Sequence, residues 1–140
     1  MTLIAGQSLS LIHAAPLFSD LSFTLARGER LGLVAANGRG KSSLLRLLAG
    51  QGEATTGTIT RARGLKTALV EQDLPPALAA LALRDAVRAA LPDKDEDWRV
   101  DIVLDDLAIP EVLRDRALGG LSGGWQRTAL LARAWVTDPD

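Results

Sequence analysis

Leu31-Gly32-Leu33-Val34-Ala35-Ala36-Asn37-Gly38-Arg39-Gly40-Lys41-Ser42-Ser43-Leu44-Leu45-Arg46-Leu47-Leu48-Ala49-Gly50 is the stretch on which the reading of this chain turns. It opens as an apolar run of strand type and passes through a glycine-rich turn. It continues as a helix with leucines at 44, 45, 47 and 48. Strand, glycine loop and helix in that order, with Gly-Lys-Ser at the junction, form the context that a P-loop requires. Small residues let backbone N–H groups curl around a phosphate, and the helix start adds the positive end of its dipole. In such a loop Lys41 reaches the β- and γ-phosphates, and the Ser42 hydroxyl is placed to ligate Mg2+. One letter departs from G-x-x-x-x-G-K-[ST]: Ala35 stands at the first glycine. If that position needs a positive φ, alanine costs about 1 kcal/mol or more; if it needs only a small side chain, the cost is slight.

The chain has 140 residues, a length that suits one domain with a real core. Apolar residues make up 47% and charged residues 24%, a globular and soluble balance. The net charge of −1 gives no sign of a general nucleic-acid binder. There is no cysteine, which excludes disulfides and thiolate metal sites. The single histidine, His13, excludes a histidine metal cluster. No apolar run approaches the ~20 residues that span a bilayer, and the N-terminus lacks a signal-peptide pattern, so a cytoplasmic protein is expected.

Outward from the loop, Leu9 to Ile12 and Leu21 to Leu25 read as strands with one buried face. Arg27-Gly28-Glu29 is a tight turn, and Arg30 to Val34 is the strand that enters the P-loop. Gly50 stops the helix. Thr58 to Thr60 and Leu65 to Val70 read as a pair of strands around Gly64, and Gln72 follows at a strand end, before Pro75-Pro76. A polar group there can reach Mg2+ or an attacking water. Ala77 to Leu91 is helical and stops at Pro92. Asp93 to Asp97 suits a helix start, because carboxylates favour the positive dipole end. Trp98, Ile102, Val103 and Leu107 form an apolar stripe, with Trp98 expected as a core anchor. Pro110 closes that helix, and Glu111 to Arg116 makes a short further turn. Ser122 is a natural N-cap for a last helix through Trp125, Ala129, Ala132 and Trp135. Gly123 and Gly124 in its first turn are costly, at about 1 kcal/mol each. They make sense if something, a phosphate above all, approaches the backbone closely.

Asn37-Gly38-Arg39-Gly40-Lys41-Ser42 as Walker A, Gln72 as the Q-loop glutamine and Leu121-Ser122-Gly123-Gly124 as the signature together resemble the nucleotide-binding domain of ABC ATPases. They occur in the family's order and cover nearly the whole chain. Leu121 to Trp125, with Arg127 and Leu-Ala-Arg-Ala at 131–134, resembles most the ABC-F branch, which includes translation factors acting on the ribosome. The resemblance implies an α/β fold: a P-loop NTPase core of ABC type, an antiparallel β-subdomain and a small helical subdomain, incomplete at the C-terminus. The segments expected are 1–73 for the β-subdomain and P-loop core, 74–118 for the helical subdomain and 119–140 for the signature helix.

The resemblance further implies ATP and Mg2+ as ligands. Asn37, Gly38, Arg39, Gly40, Lys41, Ser42 and Ser43 would hold the nucleotide. Lys41 and Gln72 would be catalytic, and Ser42 and Gln72 would face the metal. Ser122, Gly123 and Gly124 would cap the nucleotide of a second ABC domain, in a head-to-tail dimer or a tandem copy. The ribosome is the further partner that the ABC-F likeness suggests, and the chain has no transmembrane segment of its own.

Three departures accompany the resemblance. Ala35 replaces a glycine. Where the family stacks an aromatic on adenine, spacing places Ile12 or His13. The Walker B strand, its acid, the catalytic glutamate, the D-loop and the switch histidine would lie beyond Asp140. The expectation is therefore little or no ATP hydrolysis by these residues alone, and one of three states: swapped or oligomeric, completed by a partner, or part of a longer protein. Two other functions compete with the ABC-F reading: a transporter's energy-supplying subunit, and a non-hydrolysing nucleotide-binding or dimerisation module.

Overall fold

Packing sorts the chain into two compact units. A computed structural model describes residues 1–140. One unit holds Met1–Leu69 and Asp140, and the other holds Val70–Pro139.

In the first unit, β1 (Thr2–Ile12) pairs antiparallel with both β2 (Pro16–Ala26) and β3 (Thr56–Arg61), so the sheet order is β2-β1-β3. Alternation along β1 buries Leu3, Leu9 and Leu11, and Ile4 beside them. The register breaks between Gly6 and Leu9, where Ser8 takes φ +46°. Asp20 takes φ +50° on the facing strand. Serine hydroxyls accept the amides taken out of the ladder: Ser22 Oγ from Ser8 N at 2.9 Å, and Ser10 Oγ from Asp20 N at 3.1 Å. A bulge of this kind sharpens the twist without orphaning donors. Helix α1 (Lys41–Leu48) buries Leu44 and Leu47. Its C-terminal end is held by Arg61, whose Nη2 donates to the Leu47 carbonyl at 2.6 Å, a cation at the negative end of the helix dipole.

Two expected strands do not form. Arg30–Val34 joins no ladder, and Leu31, Leu33 and Val34 are exposed, Val34 by 94%. A strand exists only through a partner, and this segment makes no ladder with β1, β2 or β3. Leu65–Val70 likewise pairs with nothing, although β3 lies at an edge of the sheet. The stretch is fixed instead by Asp140. The Asp140 carboxylate accepts from Lys66 N at 3.0 Å and from Arg27 Nη2 at 2.6 Å.

In the second unit, the expected helix over 77–91 breaks into a 3-10 turn (Pro76–Leu78) and α2 (Leu83–Arg88). Between them the backbone turns, becomes extended at Ala82, where it bridges Ala117, and bonds to that later segment. Leu83 N donates to Arg116 O at 3.0 Å, Leu118 N to Leu81 O at 2.9 Å, and Gly119 N to Ala79 O at 2.8 Å. Helices α3 (Trp98–Asp106), α4 (Glu111–Arg114) and α5 (Gly123–Trp135) follow. Leu83, Val87, Val100, Val103, Leu104, Ile109, Leu118, Ala129, Ala132 and Val136 are among the residues that form one core. Arg133 donates to the Ala86 carbonyl and ties α5 to α2; burial lowers its pKa. Trp98 is not a core anchor: it is 62% exposed, and Ile102 one turn on is exposed too. Positions 98 and 102 share one face of α3, while 100, 103 and 104 share the opposite one. Both sets have helical spacing, and the neighbouring helices chose the second.

Truncating Leu104, which is fully buried, is expected to remove about 2–5 kcal/mol of stability. Urea unfolding followed by tryptophan fluorescence checks this, because Trp98, Trp125 and Trp135 all lie in the second unit. An unshifted midpoint for Leu104→Ala would contradict the core assignment.

The Asp140 carboxyl is held below its usual range, first by the Lys66 backbone N–H and then by the Arg27 side chain. A depressed folded-state pKa stabilises above the unfolded value, and that contribution disappears as pH falls through the folded value. The Lys66 amide resonance is expected to titrate with a midpoint under the ordinary ~3.9 of aspartate. In Asp140→Asn that titration should vanish.

Candidate functional site

The glycine loop is built on a contact between its end and β2. A Cβ placed on Gly40 would sit 2.8 Å from Leu17 Cβ and 3.3 Å from Phe18 Cδ1. Gly40 also takes φ +84° as the N-cap of α1, and Gly38 takes φ +79°. Both demands exclude a side chain at position 40. Ala35, by contrast, does not take a positive φ. The departure from glycine there therefore carries no backbone strain.

Lys41 folds back over the loop it follows. Its Nζ donates to the carbonyls of Ala35 and, at 3.1 Å, of Ala36. The ammonium is thereby tied to the carbonyls of the loop. The first-turn amides of α1 are capped by no side chain. Uncapped amides at a helix start are donors suited to an anion. The Ser42 residue is exposed and Ser43 half-buried, while Asn37 and Arg39 are exposed. Arg39 N donates to Ala36 O at 3.3 Å, which closes the turn. These donors fit a polyphosphate. No group of three His, Cys, Asp or Glu residues could hold a metal ion.

The second glycine site lies in the other unit. Ser122 caps α5, and its Oγ accepts from Trp125 N at 3.4 Å. Gly123 has nothing within 4 Å of an added Cβ, and Gly124 only the Ser122 Oγ at 4.0 Å. Nothing within the chain demands glycine at either position. Trp125 is half-buried against the helical core. Gln72 is exposed and belongs to this second unit, whereas Asn37 to Ser43 belong to the first. Each unit assembles its own set. Ile12 and His13 are exposed at the β1–β2 turn, where His13 N donates to Ala15 O at 3.2 Å. One residue escaped the sequence reading. Gln126 donates from Nε2 to Leu118 O at 3.1 Å and to Leu121 O at 3.0 Å. A glutamine inside a helix carries no sequence signal for such a role.

A loop of this build, followed by a separate glycine-led helix, defines a nucleotide-binding domain of ABC type. The family model described as ABC transporter matches residues 18–140, and the chain belongs to that family as an ATP-binding domain. It is 38% identical over 141 residues to the zinc import ATP-binding protein ZnuC of Cereibacter sphaeroides, covering 100% of this chain and 57% of that protein. It is 38% identical over 128 residues to the ATP-binding protein Uup of Caulobacter vibrioides, covering 91% of this chain and 20% of that protein. Among solved structures, an ATP-binding cassette of an ABC transporter superposes with a TM-score of 0.81 at 17% identity, over 99% of this chain and 66% of that chain. A metal-chelate type ABC transporter in an inward-facing conformation gives a TM-score of 0.79 at 25% identity, over 99% of this chain and 58% of that one. The P-loop NTPase fold of ABC type, with its antiparallel sheet and helices, is thus the observed fold. The chain spans a little over half the length of the zinc import relatives it matches. The ABC-F branch is not singled out, since ZnuC and Uup match at the same identity. No helix is long and apolar enough to cross a membrane.

Gly40→Ala is expected to lower stability by about 1 kcal/mol or more, through positive φ and the clash with Leu17. Gly123→Ala should hold or raise stability, because alanine exceeds glycine in a helix by about 1 kcal/mol. Urea titrations followed by far-UV circular dichroism would compare the two. A loss at 123 equal to that at 40 would show that the protein itself requires the α5 glycine.

Proposed function

We propose that this chain binds Mg-ATP at Asn37 to Ser43 as part of an ABC-type ATPase, and that Ser122, Gly123 and Gly124 cap the nucleotide of a second ABC domain. The observation that carries the reading is the loop itself. Gly38 and Gly40 open it, α1 leaves its first amides uncapped, and Lys41 is tied to its carbonyls. In this reading Lys41 exchanges its two carbonyl partners for phosphate oxygens. Magnesium supplies charge neutralisation on the phosphates when bound. Ser42 is its ligand from this chain. The open space around Gly123 supports an approach to the α5 backbone from outside the chain.

Hydrolysis needs a residue that positions the attacking water. No residue in 1–140 corresponds to the catalytic glutamate that the ABC resemblance implies, so these residues alone turn over little or no ATP. Two settings share support. Trp125 and the sequence around it favour an ABC-F-like protein. Full-length coverage of this chain at 38% identity by a zinc import ATP-binding protein favours a transporter's energy-supplying subunit equally. The ribosome as partner gains no support from the relatives found.

Calorimetry with Mg-ATP on the 140-residue protein is expected to show saturable binding that Lys41→Ala abolishes. Steady ATP turnover by the same protein, lost in Lys41→Ala, would overturn the proposed need for further residues. Absence of binding in both proteins would overturn the proposed site.

A further inference from the structure

The start of α5 is held from below. Leu118–Gly120 forms a 3-10 turn, and Ser122 then caps the helix. The turn is anchored by main chain: Leu118 N and Gly119 N donate to Leu81 O and Ala79 O. Gly119 permits this approach, since an added Cβ would lie 3.1 Å from the Ala79 carbonyl oxygen. What this ladder does not fix is the step from the turn into the helix. The Leu121 and Leu118 carbonyls both point at one side chain, and that side chain is the half-buried Gln126 amide. Gln126 N meanwhile donates to the Ser122 carbonyl at 2.9 Å. A single residue therefore grips the segment Leu118–Ser122 at three carbonyls. The glycines it leads to have no side chains of their own with which to hold a shape. Two glycines in a first helical turn carry the largest backbone entropy of any residue there.

We propose that Gln126 is a positioning residue for the Ser122–Gly124 turn: its amide staples the preceding 3-10 turn to α5 and so presets the glycine backbone for a ligand from outside. The functional half rests on the proposed capping role of that turn. The staple itself does not. Its chemistry requires an N–H donor at the end of an unbranched side chain. Met has nearly the same shape and no donor, Glu can only accept when ionised, and Lys restores donors. Donor capacity, rather than size, should therefore sort the variants.

The test is amide hydrogen exchange, read by NMR, on the 140-residue protein and on Gln126→Met, Gln126→Glu and Gln126→Lys. Exchange at Leu121, Trp125 and Gln126 is expected to rise by about tenfold in the Met and Glu variants, the scale of one lost net hydrogen bond. In the Lys variant it should return toward wild type, and exchange within α2 and α3 should stay unchanged in all three. Equal exchange at those amides in Met and wild type overturns the proposal. So does a rise spread evenly over α2, α3 and α5, which marks a general loss of stability. The second measurement is Mg-ATP-dependent self-association by analytical ultracentrifugation. Weaker association in Met but not in Lys, with Lys41-dependent Mg-ATP binding intact, supports the functional half. Undiminished association alongside faster exchange overturns it. If wild type itself does not associate, the capping role proposed above fails, and exchange alone still decides whether Gln126 is the staple.

Discussion

Gly40 lies so close to Leu17 that a single methyl group would meet its Cβ at 2.8 Å. That approach, made at φ +84°, fixes where α1 begins relative to β2. From it follow the direction of the uncapped amides and the path by which Lys41 turns back to the Ala35 and Ala36 carbonyls. The sheet supports the contact from behind. β1 buries Leu9 and Leu11 at its centre, and the bulge at Ser8 bends the ladder while serine hydroxyls keep its amides satisfied. A phosphate loop is a length of backbone with few side chains to hold it, so its shape must come from neighbours that press on it.

The helical unit meets the same difficulty with different means. The α5 start has glycines where an ordinary helix would have side chains, and nothing packs on them. Rigidity is imported from the segment before it. Residues 79–83 and 116–119 form a short main-chain ladder, the Leu118–Gly120 turn hangs from that ladder, and Gln126 joins the turn to the helix. Beneath this lies a core drawn from α2, α3 and α5, in which no side chain is left with an unmatched buried polar atom. Backbone bonds, one amide side chain and an apolar floor together supply the order that the glycines lack.

Much of the site was legible in the sequence because its requirements are local. Gly-Lys-Ser after an apolar run and glycines at 38 and 40 state a backbone need that no other residue meets as well, and Ser122 states a helix cap. Ala35 was ambiguous for a local reason too: a letter cannot say whether a glycine is wanted for φ or for size, and the observed backbone has no positive φ there. Trp98 was misplaced because two apolar faces of α3 have equally helical spacing. Gln126 was invisible because its value lies in two carbonyls five and eight positions away in sequence.

The sequence by itself determined the order of loop and helix signals, the caps and the family. Those depend on residues within a turn of one another, where propensity and φ preference act directly. Tertiary structure decided the pairings. β3 joined β1, while the segments 65–70 and Arg30–Val34, both apolar and strand-like, joined no ladder at all. A strand is a relation between two segments. Its energy resides in bonds to a partner, and partner choice is settled only when the chain as a whole has folded.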